Sequence, residues 1–521
     1  MELFKSKKTK ELEVKARELE TQVTVFSEKT RELETRLTRS RSYQAASYNR
    51  LFQDWIVSTR SADAELFSSI KTIRNRARDL AMNTSYIRRY LDLCLINILG
   101  PDGLYPVPEI KDTNGNIDTL ANAVVQQGYD EWAKSVTADG KMTAADYQRL
   151  IVESTARDGE VFVRMIYGSN AGNKFNFALQ IIEADLVPET LNAVLSNGNQ
   201  IRMGIEINKY GRVVAIYVGQ GHPGDYQGYN LSANYDRIPA EEIIHYGLPN
   251  RAHQTRYVSW MAPVMTTIKM LDGFVEAYMV ACRAGASKMG FLVPQPDSNG
   301  DYITENDENG APLQNLEAGI IEQLPNGMDF KFADPTFPSA NYPENVKSFR
   351  RDIAVGLSVN YNSLFSDVES ANYSSIRSGT IEDRDRWRVD QSRFIKHEER
   401  ITSEWLKMAI LSNALNISLP MNKFTKFNAR GWACRGWDWV DPLKDSKATV
   451  SALENGLLSL KDYYNEKGKD YIKELEQLAY EKELLAGKKL NFAYISNQNP
   501  GQVAAGNAVV TTNNGGTNAG N

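Results

Sequence analysis

The chain of 521 residues is poor in the groups that most enzymes use. It has three cysteines, at 94, 282 and 434, and four histidines, at 222, 245, 253 and 397. The cysteines are far apart and form no C-x-x-C pair, so the expected state is free thiols in a reducing compartment. No H-E-x-x-H, no G-x-S-x-G and no Cys/His metal pair occurs. The G-x-x-x-x-G-K-[ST] cradle of P-loop ATPases is missing as well. Long apolar runs are lacking: none reaches the roughly 20 residues that span a bilayer. The N-terminus is densely charged from Lys5 onward, which is not how a signal peptide is built. An excess of positive charge is also absent. Sixty Lys and Arg face 65 Asp and Glu, a net charge of −5. That argues against a surface that grips nucleic acid tightly, but not against a lining over which a polyanion slides.

Two patterns that are present mimic binding sites and fail on inspection. Gly219-Gln-Gly221-His-Pro-Gly224 fits G-x-G-x-x-G, but Pro223 and the run after it forbid the helix whose amides would face a pyrophosphate. Asp297, Asn299, Asp301, Glu305 and Glu308 fit positions 1, 3, 5, 9 and 12 of a calcium loop, but Tyr302 stands where the turn needs glycine. His245 lies in an apolar strand and reads as a satisfied core histidine. His253 and Arg256 read as a solvated polar turn, with partner contact as the competing reading. No catalytic residue, cofactor or metal is expected.

The chain is long enough for two to four domains. Residues 1–40 are mostly charged, with Leu12, Leu19, Val23, Leu33 and Leu37 at loose helical intervals. They read as a solvated helix or as an arm that contacts a neighbour. Helices are expected over 42–100, ended by Gly100-Pro101, and over 119–156 with a turn at 137–140. Lys71, Arg74, Arg76, Arg78, Arg88 and Arg89 read as a solvated basic face. Strands are expected at 159–167, 177–182, 204–208, 213–218 and 243–246, with a hairpin at 209–212. Residues 262–289 are apolar around nearly the whole helical circumference and rich in small residues, which implies burial in a core or at a subunit interface. Residues 293–342 are strand and loop. Residues 401–485 are helical, broken by an aromatic patch at 432–439. The last twenty or so residues, rich in Asn, Gly, Thr and Ala, are expected to be a disordered tail.

Residues 332–388 are the most informative. Val346, Phe349, Ile353 and Leu357 form one buried helical face, with Pro343 and Glu344 at its start. A loop rich in Asn, Ser and Asp follows over 360–372. A charged helix follows from about Ser374 to Arg400, in which Glu382 and Arg386 are one turn apart.

This segment resembles the lambda-type portal proteins of tailed phages. The resemblance runs over roughly 45–490 through motifs in shared order. They are Arg74–Asp92 followed by Gly100-Pro101, Asp139–Thr143, Gln148–Leu150, Asp158–Arg164, Leu179–Asp185, Gly204–Glu206, Tyr210–Ala215, Arg237–His245, Gln254–Arg256, Trp260–Pro263 and Trp437–Pro442. It implies an α+β, mainly helical ring subunit with an α/β wing, a helical stem, a mixed clip and a helical crown. The corresponding divisions are an N-terminal arm (1–44), wing (45–261), stem helix (262–292), clip (293–342), second stem helix (343–358), tunnel loop (359–373), long wing helix (374–400), crown (401–490) and tail (491–521). It further implies a self-assembled ring, typically a dodecamer, at one capsid vertex of the virion, assembled in the host cytoplasm. Double-stranded DNA would pass through the ring without sequence recognition during packaging and ejection. The other implied partners are the terminase large subunit, adaptor or head-completion proteins, and the major capsid protein or scaffold, with no membrane. The implied tunnel-loop residues are Asn360, Asn362, Ser363, Ser366, Asp367, Glu369, Ser370 and Asn372. The implied stem or channel residues are Lys269, Asp272, Glu276, Lys347, Arg350 and Arg351. Two other readings compete: a metal-dependent nuclease, which needs clustered carboxylates and has only candidates such as Asp383 and Asp385 beside arginines, and a cytosolic assembly adaptor that uses residues 1–40.

Overall fold

A computed structural model describes residues 7–41, 50, 57–225, 234–286, 290–294, 328–332, 341–367, 369, 373–437, 442–467 and 470–487. The calcium-like pattern, Ser370, Asn372 and the C-terminal tail lie outside the described residues. The chain divides into two units, residues 1–61 and 62–521. The described residues of the first include helix α1 (Lys7–Arg41), exposed throughout residues 14–32.

The second unit opens with three helices: α2 (Ala62–Phe67), α3 (Ile70–Asn83) and α4 (Ser85–Ile98). Strand β1 (Tyr105–Pro108) leads to α5 (Thr119–Trp132), capped by the Asp118 carboxylate on the Ala121 amide. Thr143 caps α6 (Ala144–Asp158) in the same way. Gly159 ends α6 with φ of +95°, and a Cβ there would lie 2.2 Å from the Val258 backbone, so only glycine fits. Strands β2 (Glu160–Tyr167) and β3 (Phe177–Ile182) follow. Then come β4 (Ala193–Val194), β5 (Gln200–Arg202), β6 (Ile205–Ile207), β7 (Val213–Gly219), β8 (Tyr235–Pro239) and β9 (Ile243–Gly247). They form two antiparallel sheets in the orders β3-β2-β9 and β4-β5-β6-β7-β8.

A one-turn helix at Ala262–Val264 introduces α7 (Met265–Ala286). Strand β10 (Gly290–Pro294) pairs antiparallel with β11 (Met328–Phe332), and α8 (Tyr342–Gly356) returns. The short α9 (Tyr361–Phe365) precedes α10 (Tyr373–Leu411), a single helix of 39 residues. After it come α11 (Phe424–Phe427), β12 (Arg430–Ala433), α12 (Pro442–Glu454), α13 (Leu460–Glu466) and α14 (Tyr471–Gly487). Strand β12 pairs with β1, Tyr105 opposite Ala433, which ties this late segment to the first helices. The fold is α+β and mainly helical. No helix among the described residues is long and apolar enough to cross a membrane.

The expected helix end at Arg400 is corrected. Ile401, Trp405, Leu406, Ala409 and Ile410 continue the buried face begun by Trp387 and Phe394. The change of composition at residue 400 marks a change of surroundings, because no proline or glycine stops the helix there. Trp405 is wholly buried and packs edge-on against Tyr129 at 5.4 Å. The strand at 193–194, the strand at 200–202 and the β1–β12 pair were not expected. All are short, and the β1–β12 pair joins segments more than 300 residues apart.

The solvated basic face is corrected as well. Lys71, Arg76, Arg88 and Arg89 are exposed, but Arg74 is fully buried and Arg78 half-buried. Arg74 pairs with Glu160 at 3.1 Å, Asp185 at 3.2 Å and Glu189 at 2.6 Å, and Arg78 with Asp158 and Asp185. Arg256 is no solvated turn residue either. It donates four hydrogen bonds, to Glu160 and to the carbonyls of Val187, Met203 and Ala184, and its Nη2 lies 2.6 Å from the same Glu160 oxygen. His245 donates to the second Glu160 oxygen at 2.9 Å and Tyr257 N to the same atom at 3.0 Å. Burial pushes the Glu160 carboxyl up, but Arg256 and His245 outweigh it and hold the group well below the usual carboxylate range. Burial lowers His245, which therefore stays neutral, as a satisfied core histidine should. This ionic cluster joins α3 to the start of β2 and to the segment before α7.

Candidate functional site

Helices α7 and α8 pack antiparallel. Tyr278 stacks on Tyr342 at 3.8 Å, Phe274 on Tyr342 at 5.8 Å, and Thr267 donates to Asp352 at 3.0 Å. At the base, a Cβ on Gly356 would meet Val264 at 2.3 Å, so the missing side chain sets the close approach. Only one flank of α7 is covered. Ile268 and Leu271 are buried, whereas Met270 is 62% exposed, Met279 49% and Val280 56%. Within the single chain one side of α7 is covered, and the other exposes apolar residues among charged ones, so a core does not take up the whole circumference.

Lys269, Asp272 and Glu276 lie on the exposed side of α7. The basic residues of α8 do different work. Lys347 reaches Asp367 at 3.7 Å, the Arg350 guanidinium lies 5.5 Å from the Phe365 ring, and that of Arg351 lies 6.0 Å from the Tyr361 ring. They clasp α9 against α8.

The polar segment after α8 is partly helical and firmly tied. Asn360 caps α9 by accepting from the Asn362 amide at 2.9 Å. Ser366 ends it with φ of +54°. Asp383 of α10 accepts from the Asn360 amide at 2.9 Å and from Ser363 Oγ at 3.2 Å. Burial pushes the Asp383 carboxyl up against those two hydrogen bonds. Asp367 accepts from Tyr361 Oη at 2.7 Å. Of the expected loop residues, Ser366 and Glu369 are exposed, whereas Asn360, Ser363 and Asp367 serve as anchors. The expected pairing of Glu382 with Arg386 is replaced. Arg386 donates to the carbonyls of Leu357 at 2.7 Å and Ser358 at 2.6 Å, at the negative end of α8. Asp385 pairs with Arg388 at 3.3 Å, so Asp383 and Asp385 form no joint metal site.

Sequence reasoning missed Gly379. A Cβ there would lie 1.7 Å from Asn360 Nδ2. The signal was present, because glycine inside a long helix costs about 1 kcal/mol relative to alanine and is retained where something must approach closely. Gly379→Ala is expected to eject the Asn360 side chain from its cap and to destabilise the protein by about 1–2 kcal/mol despite the better helix former. A melting temperature equal to or above that of the parent would show that Asn360 does not need this space.

Glu183, Asp185 and His222 bring ligand atoms within 4.8 Å of one another. Asp185 already receives Arg74 and Arg78, and the Gly224 amide donates to His222 Nδ1. That leaves the hydrogen on Nε2, toward Glu183. The cluster is an ion-pair edge and not a metal cage.

The family model for the phage portal protein of the lambda family matches residues 48–391. The chain is 33% identical over 441 residues to a probable portal protein of Halomonas phage phiHAP-1, covering 83% of this chain and 84% of that one. It is 24% identical over 463 residues to the portal protein of Escherichia phage N15, covering 80% and 85%. To portal protein B of Escherichia phage lambda it is 23% identical over 465 residues, covering 80% and 85%. Among solved structures, a chain in the neck of an empty gene transfer agent particle aligns with a TM-score of 0.45 at 12% identity, covering 79% of this chain and 95% of that one.

Proposed function

The chain belongs to the lambda family of phage portal proteins, and on that premise we propose how its parts divide the work of a portal ring. The protein is the head–tail connector of a phage particle, a ring at a unique capsid vertex. In our reading twelve copies close the ring around double-stranded DNA, which passes without sequence recognition. Residues 45–261 form the wing, α7 and α8 the stem, and 293–342 a clip that receives the terminase large subunit and later the adaptor or head-completion proteins. The wing and crown meet the major capsid protein or scaffold. The part plays no catalytic step.

The observation that carries this reading is the uncovered side of α7, where the exposed Met270, Met279 and Val280 stand among Lys269, Asp272 and Glu276, opposite the side that holds the buried Ile268 and Leu271. An obligate ring interface removes such surface from water and buries thousands of Å². The segment 359–373 is read as the tunnel loop. Asn360, Ser363 and Asp367 hold its root while Ser366 and Glu369 face outward, which suits a narrow place beside moving DNA. Residues 359–373 include no lysine or arginine to arrest phosphates.

Two preparations test the reading together. Purified protein is expected to give the native mass of a closed ring of about twelve chains with a central hole of duplex width. Protein lacking Ser363–Glu369 is expected to close the same ring but to lose retention of packaged DNA. A small oligomer at every concentration counts against the ring. Normal packaging and retention in the deletion counts against the tunnel-loop role.

A further inference from the structure

A cleft of about 1030 Å³ opens between the β6–β7 hairpin and segment 249–257. It is lined by Arg202, Lys209 and Arg251, with His245 and His253, and by no aspartate or glutamate. The chain as a whole carries more acidic than basic residues, so a lining whose charged side chains are basic is a local reversal of the protein's charge.

Both walls are held in place. On the hairpin side, Asn208 Oδ1 accepts from the amides of Tyr210 at 2.9 Å and Arg212 at 3.0 Å. On the other side, Gln254 Oε1 accepts from the amides of Asn250 at 2.8 Å and Arg251 at 3.0 Å. Thr255 donates its amide and its hydroxyl to Asp63, each at 2.7 Å. His253 sits between these ties with φ of +62°, a conformation that persists only where the surroundings dictate it. Two lining residues, His245 and Tyr257, are tied beneath it to the buried Glu160, through the His245 ring and the Tyr257 amide. A rigid cleft loses little entropy when a ligand binds.

The cations are arranged unevenly. Arg202 lies 3.5 Å from Asp63 and Arg251 lies 2.8 Å from Glu65, both carboxylates being on α2 and outside the lining. Lys209 stands at the hairpin tip, its Nζ 4.9 Å from the Tyr210 ring. Tyr210 is 80% exposed, and Tyr257 closes the far side.

We propose that this cleft docks an acidic peptide segment of a partner protein, with its carboxylates set between Lys209, Arg202 and Arg251. A duplex fits the observations less well. Nucleic-acid sites present rows of cations that neutralise successive phosphates, and here only three stand around one cleft, in no row. A concave site with exposed tyrosine at its rim suits a polypeptide, whose side chains give tyrosine both apolar and polar contacts.

The test is fluorescence anisotropy with full-length assembled protein and a fluorescein-labelled peptide of alternating glutamate, aspartate, leucine and glycine. Saturable binding that weakens with added salt is expected. Lys209→Glu and, separately, Arg251→Glu are expected to weaken it about tenfold each, with melting temperature and ring mass unchanged. Lys209 is at an exposed turn, so its variant keeps the fold even if the Arg251 variant does not. Absence of saturable binding overturns the proposal, as does equal binding by the Lys209 variant. Tighter binding of a labelled DNA duplex, lost in the same variants, also overturns it and assigns the cleft to nucleic acid.

Discussion

Glu160→Gln is expected to lower the stability of residues 62–521 by about 3–5 kcal/mol, the cost of breaking a buried ion pair from one side. Glu160 is the carboxylate that Arg74 and Arg256 share, and all three side chains are fully buried. Glutamine keeps the size but not the charge. Arg74 retains Asp185 and Glu189, whereas Arg256 is left with neutral acceptors alone. A buried guanidinium has no route to neutrality near pH 7. The damage therefore falls on the segment that Arg256 holds, just before α7, and on the joint between the sheet and the paired helices. A control is Glu189→Gln, which touches only Arg74 and is partly exposed. It is expected to cost less than about 1 kcal/mol. Guanidinium unfolding followed by circular dichroism reads both, through a midpoint shift at constant slope. A Glu160 variant that unfolds with the parent would mean that the cluster is compensated elsewhere and does not organise the domain.

This cluster also shows how far the sequence was legible. Local patterns carried well. The helices at 119–156, the strand at 177–182 and the Pro343 helix start were readable because period and capping are local. What failed was partnership across the chain. Arg74, Glu160, Arg256 and His245 are separated by up to 182 positions, and nothing in the neighbourhood of Arg74 distinguishes it from Arg76, which is exposed. Likewise the polar residues after α8 looked like a free loop, because Asp383 and Gly379, which anchor and admit Asn360, belong to a later helix. The family was legible in ordered motifs over most of the chain, since those motifs record many weak constraints at once. The role of each polar residue within them was not, because anchoring and lining use the same residue types.

Glu398→Gln is expected to stabilise the protein at pH 8 and to make little difference at pH 4.5. Glu398 is 5% exposed on α10 and accepts from Tyr246 Oη at 3.0 Å and Gln148 Nε2 at 3.3 Å, both neutral donors. Burial pushes its carboxyl up to about 7, against those two hydrogen bonds. An unfolded glutamate titrates near 4.3, so the folded state holds this proton more tightly. Stability from this group is therefore complete below about pH 4 and is lost as pH rises through about 7, a change on the order of 3 kcal/mol. His397 works in the opposite sense. Burial lowers it to about 4, so it costs stability as pH falls below its ordinary value. The raw profile mixes the two, and the difference between parent and variant isolates Glu398. The amide fits without a clash: its oxygen accepts from Gln148, its nitrogen donates to Tyr246, and Tyr246 turns its own hydrogen to Tyr147 at 3.0 Å. Denaturation midpoints at pH 4.5, 6 and 8 decide it. A gain that grows with pH identifies Glu398 as the strained buried charge, and a difference independent of pH would show that the carboxyl keeps one protonation state across the range.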